Sequence, residues 1–150
     1  MSPIFTPVMG WVAAAGAALG LAVAAPHENG VLGKVPSILA TRLDHTPVQV
    51  PQELPSGRTL ALVVFEGRQR EEARSWIEGL QLHRDASIKW VKVPVHNDRD
   101  AFVRATGLAS ADHASVLVLD RQGNVLARAQ GPFDRDKAQA LRETLLAQND

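Results

Sequence analysis

Six successive apolar residues, Leu60-Ala61-Leu62-Val63-Val64-Phe65, constrain this chain more than any other feature. Side chains alternate between the two faces of a strand, so a strand that is apolar at every position has to be covered on both. A second apolar strand, Ser115-Val116-Leu117-Val118-Leu119-Asp120, follows downstream. Helical patterns lie between and after the two. The expected class is α/β, with a mixed central sheet and helices on both faces.

The clearest helical pattern comes directly after the first run. Ala73, Trp76, Ile77 and Leu80 fall at i, i+3, i+4 and i+7 and make one apolar stripe. Glu71 and Glu72 sit in its first turn, with His83 and Arg84 near its expected end, and both placements suit the helix dipole. The stretch from Ile88 to Val95 predicts the next strand, which Pro94 ends or confines to an edge. Asn97 or Asp98 is expected to cap a short helix from Arg99 to Thr106, stopped by Gly107.

Asp120-Arg121-Gln122-Gly123-Asn124 predicts a hairpin turn with Gly123 at positive φ. The chain then returns as Val125 to Ala129. Asp134 is expected to cap a last helix whose Ala138, Leu141 and Leu145 share a face. Upstream, Ser37–Leu43 and Thr46–Pro51 flank Asp44-His45. They predict an N-terminal β-hairpin extension with Pro47 and Pro51 at an edge.

Residues 1–27 carry no charged side chain, and Val8 to Ala25 is an apolar run of small residues. It ends in Ala22-Val23-Ala24 and then Pro26, the pattern of an export signal cleaved near Ala24 or Ala25. The alternatives are an uncleaved membrane anchor, with Gly16 and Gly20 as a packing face, and a buried helix. The domain reading is therefore 1–25 signal peptide or anchor, 26–34 linker and 35–150 folded domain. The expected location is periplasmic or otherwise exported, or membrane-anchored with the domain outside the cytoplasm.

Lysine plus arginine and aspartate plus glutamate balance at 16 each. No overall field favours nucleic acid or an anionic membrane surface. There is no cysteine, which excludes disulfides, thiolate metal sites and a cysteine nucleophile. His96, Asp98 and Asp100 hold a single histidine and do not make a metal set. No cofactor motif is present.

The order strand, strand, helix, strand, helix, strand, strand, helix from about Val48 to Leu146 resembles the thioredoxin-like family. Two stretches carry the likeness. Val35-Pro36 through Leu43 to Val50-Pro51 and Gly57-Arg58-Thr59-Leu60 is similar to the start of peroxiredoxins and membrane-associated thioredoxins. Val116 to Leu126 is similar to their last hairpin. Two cysteine-poor groups look nearest, the periplasmic YtfJ-type proteins and the ATP-synthase assembly factors. The latter also have a strand ending in Phe with a Ser-Trp soon after, like Ser75-Trp76.

The resemblance implies a Cys-x-x-Cys pair after the strand that ends at Phe65. Here the stretch is Glu66-Gly67-Arg68-Gln69-Arg70, so thiol–disulfide exchange is excluded. It also implies a cis-proline facing that pair and holding extended peptide substrate. The matching residue is Ala114, for which a trans bond is expected.

The candidate binding site is the strand-to-helix corner: Glu66, Gly67, Arg68 and Arg70 at a helix N-terminus, near His113 and Ser115. A helix N-terminus with two arginines suits a carboxylate or phosphate. The same residues also read as a solvated turn. Ser115 and His113 lack the spacing of a nucleophile elbow, and no catalytic residue is assigned. The expected function is an exported, non-redox binding or assembly module acting through protein contacts, its unknown partner belonging to an envelope complex. The alternatives are a small-anion binder or non-thiol enzyme using the Glu66–Arg70 corner, and a partner in a redox pathway that supplies shape while another protein supplies thiols.

Overall fold

The computed structural model describes residues 23–24, 31–42, 44–54 and 57–147. Eight strands form one sheet: β1 (Val23–Ala24), β2 (Gly33–Lys34), β3 (Ile38–Arg42), β4 (Pro47–Val50), β5 (Thr59–Val64), β6 (Trp90–Pro94), β7 (Ser115–Leu119) and β8 (Asn124–Gln130). Their order is β1-β8-β7-β5-β6-β3-β4, with β2 also on β8. Among the described residues three α-helices complete the fold: α1 (Arg70–Gly79), α2 (Arg99–Thr106) and α3 (Arg135–Leu146).

The apolar run forms β5, at the middle of the sheet. It pairs parallel with β6 and antiparallel with β7. The hairpin β7–β8 and the hairpin β3–β4 extend the sheet on either side. This is the thioredoxin-like arrangement with an N-terminal hairpin. The parallel β5–β6 pair needs a crossover, and α1 supplies it.

Two apolar cores result, one on each face of the sheet. Trp76 and Leu80 from the α1 region and Leu141 and Leu145 from α3 pack on Leu60, Leu62, Val116 and Val118. On the other side Phe102 of α2 packs with Phe65, Val63, Val93 and Leu117. The Phe65 and Phe102 rings meet edge to face with centroids 5.9 Å apart.

One local expectation holds in detail. Asp134 accepts the Lys137 N–H at 3.0 Å and caps α3. At the other end of α3 the Arg58 guanidinium donates to the Thr144 carbonyl, a cation where the helix dipole favours one. Others are corrected. Helix α1 ends at Gly79, so His83 and Arg84 lie beyond it in a turn. Asp98 sits at φ +54° and its side chain caps nothing in α2. The strand expected from Ile88 begins at Trp90.

Two short N-terminal segments also join the sheet. Val23–Ala24, inside the expected signal or anchor, and Gly33–Lys34, inside the expected linker, both pair with β8. The rest of the expected signal lies outside the described residues. Among the described residues no helix is long and apolar enough to cross a membrane.

Strand β4 is the free edge of the sheet, and it is blunted. Pro47 has no N–H, while the Gln49 N–H donates to Glu53 Oε1 at 2.6 Å. The Gln49 carbonyl in turn accepts the Glu53 N–H at 2.8 Å. An added strand would find these groups already used.

Gly33 packs against the end of α2. A Cβ there would lie 2.5 Å from the Thr106 carbonyl carbon, with Ala105 and Thr106 backbone oxygens nearly as close. Gly33→Ala is therefore expected to destabilise the protein by about 1–3 kcal/mol, read as a lower urea midpoint. A glycine in a free linker would give no loss, or a gain of a few tenths.

Candidate functional site

The corner between β5 and α1 begins with Glu66 and the single 3-10 turn Gly67–Gln69. Glu66 is held from two sides: Arg68 Nε donates to Oε1 at 2.7 Å and Arg99 Nη1 to Oε2 at 3.2 Å. The hydrogen bond and charge of Arg68, reinforced by Arg99, hold the Glu66 carboxyl below its ordinary range. The same contact raises Arg68. The Glu66 carboxylate thus neutralises Arg68 and Arg99 from within the chain.

The two faces of α1 then do different things. Gln69, Glu72, Ser75 and Trp76 turn toward the loops before β7 and after β8. Gln69 is 1% exposed. Its Oε1 accepts the Phe65 N–H at 2.8 Å and its Nε2 donates to the Ala111 carbonyl at 2.8 Å. Glu72 Oε1 accepts the Ala114 N–H at 2.8 Å, and Oε2 accepts from His113 Nδ1 at 2.9 Å. Ser75 Oγ accepts the Phe133 N–H, and Trp76 Nε1 donates to the Gly131 carbonyl at 2.8 Å.

Residues Arg70, Arg74, Ile77 and Glu78 lie on the other face of α1. They wall an open cavity of about 900 Å³ over β5, β6 and β3. The six residues proposed from sequence are therefore divided. Glu66, Gly67 and Arg70 border this cavity. His113 faces Glu72 instead. Ser115 is fully buried in β7, with no hydrogen-bond partner for its Oγ among the described residues.

The loop before β7 has no proline, and its peptide bonds are trans; the cis bond among the described residues is Val50–Pro51. Where the thioredoxin-like resemblance implies a cis-proline, which has no N–H, Ala114 has one, and Glu72 takes it. The corner is closed by the protein's own carboxylate and carboxamide.

Gln69 and Glu72 were not singled out from sequence for these contacts. The signal for Gln69 was present: Gln69, Ala73, Trp76 and Leu80 fall at i, i+4, i+7 and i+11, so a polar residue stands on the apolar stripe. A polar group there needs partners, because burying it unpaired is costly.

The sequence matches no protein-family model and no curated protein. Solved structures similar to it share little sequence. A DsbF homologue from Corynebacterium diphtheriae aligns over 84% of this chain and 94% of its own, at 10% identity and TM-score 0.49. The thioredoxin domain of a thiol-disulfide oxidoreductase from Bacteroides vulgatus aligns over 79% and 99%, at 11% identity and TM-score 0.43. A thio-disulfide isomerase from Thermus thermophilus aligns over 79% and 97%, at 18% identity and TM-score 0.39. The strand order and pairing carry the fold assignment.

Removing Gln69 leaves the Phe65 N–H and the Ala111 carbonyl without partners in a buried place. Gln69→Ala is expected to cost about 2–4 kcal/mol by urea unfolding, well beyond an ordinary surface change. For Glu66 the readout is its titration. Arg68→Ala should move the Glu66 carboxyl up toward its ordinary value, followed by side-chain carbon NMR. Because the folded value is lowered, this contact stabilises the fold at neutral pH. Its contribution is lost only as pH falls through the lowered value.

Proposed function

We propose that this chain is an exported, non-redox thioredoxin-like module that works by binding a protein partner, in the manner of an assembly factor. The observation that carries the reading is the closed corner. Glu72 occupies the Ala114 amide and Gln69 fastens the adjacent loop. With no thiol in the chain, neither half of a disulfide-exchange site is available. What is left is a stable scaffold with its polar work done internally and its outer surfaces free for contact.

The N-terminal apolar run accords with export, and the cysteine-poor look of the YtfJ-type and ATP-synthase assembly groups accords with a role in an envelope complex. A small-anion site at the corner is the weaker reading, since Glu66 already fills the space between Arg68 and Arg99.

The test is crosslinking capture from the envelope fraction of cells expressing the full chain, beside an insulin-reduction assay. The expected result is one reproducible protein crosslink and no insulin reduction. Loss of all specific crosslinks, or catalysis of reduction by this cysteine-free chain, would overturn the reading. Phosphate-dependent protection of the corner that vanishes in Arg68→Ala with Arg70→Ala would favour the anion site instead.

A further inference from the structure

Helix α1 is short, and it leaves part of the sheet bare on its own side. Opposed residues in a sheet share a face, so the pairs Leu62–Lys92, Thr41–Lys92 and Val64–Pro94 place those side chains together. Lys92 and Pro94 are exposed, and Leu39, two residues from Thr41 and on the same face, is 57% exposed. The 900 Å³ cavity lies between this shelf and α1. A second cavity of about 600 Å³ continues it toward the start of β6, and His83 borders both. Together they make one trough along β6.

Three features say what the trough would hold. First, two cations border the first cavity beside this shelf, Arg70 and Lys92. Neither has an ion-pair partner among the described residues. Second, most of the acids around it are engaged within the chain. Glu66 is held by Arg68 and Arg99, Asp85 binds Ser87 and Arg142, and Asp44 accepts the Thr46 N–H. Third, Trp90 borders the second cavity at 6% exposure, and its indole N–H has no acceptor among the described residues. A buried donor without an acceptor calls for one.

We infer that this trough is a docking site for an extended, acidic segment of a partner protein, laid along β6 with apolar side chains toward Leu62, Val64 and Ile77. Carboxylates of the segment meet Arg70 and Lys92, and an acceptor reaches Trp90 Nε1. Eight or so residues, at roughly 3.3 Å each, match the run from Ile88 to Val95. Binding uses the face of the sheet because the β4 edge is already blunted by Pro47 and Glu53. The inference rests on the protein-contact reading above and names the surface and the chemistry of its partner.

The probe is a synthetic octapeptide of alternating Glu and Val, titrated into the full chain labelled with nitrogen-15. The Trp90 indole resonance, assigned by Trp90→Phe, reports on the trough. A saturable shift of that resonance is expected, and it should weaken as salt rises. Arg70→Glu with Lys92→Glu, two exposed positions checked for an unchanged urea midpoint, should raise Kd about tenfold or more. No shift with the acidic peptide would overturn the inference. So would an equal shift with a Lys–Val peptide, and an equal shift with free glutamate would assign a small-anion site in its place. Envelope capture with the same double variant separates the two levels. A partner still crosslinked by the variant, with no peptide binding, removes the trough and keeps the module. A trough that binds peptide, with no crosslink in cells, does the reverse.

Discussion

A polar seam along one face of helix α1 holds the two halves of the fold in register. Gln69, Glu72, Ser75 and Trp76 each reach a backbone group in the segments that frame the β7–β8 hairpin. The β5–β7 ladder fixes the register of the strands but does not itself hold the loops before β7 and after β8. The seam pins the loops at both ends of that hairpin to one rigid helix. The Gly131 N–H donating to the Ala114 carbonyl joins the two loops to each other. Each bond is modest alone, but each lies in a poorly solvated place where its loss would leave a group unpaired.

This explains how much of the fold could be read from sequence. The elements legible in advance obey local rules: β5 by its unbroken apolar run, α1 by its stripe, α3 by Asp134, and the last hairpin by Gly123. The illegible parts depend on partners far along the chain. Gly33–Lys34 looks like linker because nothing local reveals that Gly33 meets the end of α2. Helix α1 stops at Gly79 although Leu80 continues its stripe, and the chain then turns through Gln81 at φ +56°. Asp98 has the composition of a cap, yet adopts a left-handed backbone with its side chain unused as one.

The candidate site shows the same division. Its residues were chosen by position after β5, and that position is where the structure puts the corner. What position could not supply was direction. A helix turns about 100° per residue, so neighbours such as Gln69 and Arg70 leave on different sides. Gln69 is drawn inward to the Ala111 carbonyl, and Arg70 is turned out toward the trough. His113, which the expected fold brings near the corner, is claimed by Glu72.

The two sides of α1 therefore differ in what they leave unmet. On the seam side, donors and acceptors are matched within the chain, and Glu66 and Glu72 act as the anions that an outside ligand would otherwise supply. On the trough side the imbalance runs the other way: Arg70 and Lys92 are uncommitted, a buried indole N–H has no acceptor, and Leu39 is exposed on the same face. The chain carries no net charge, so this local excess of positive charge is a matter of placement. Internal pairing of the nearby acids leaves it standing. Uncommitted charge next to exposed apolar surface favours a partner that brings both carboxylates and side chains to cover it. Closing the corner and opening the trough are consequences of the same helix, because neighbours such as Gln69 and Arg70 leave it on different sides.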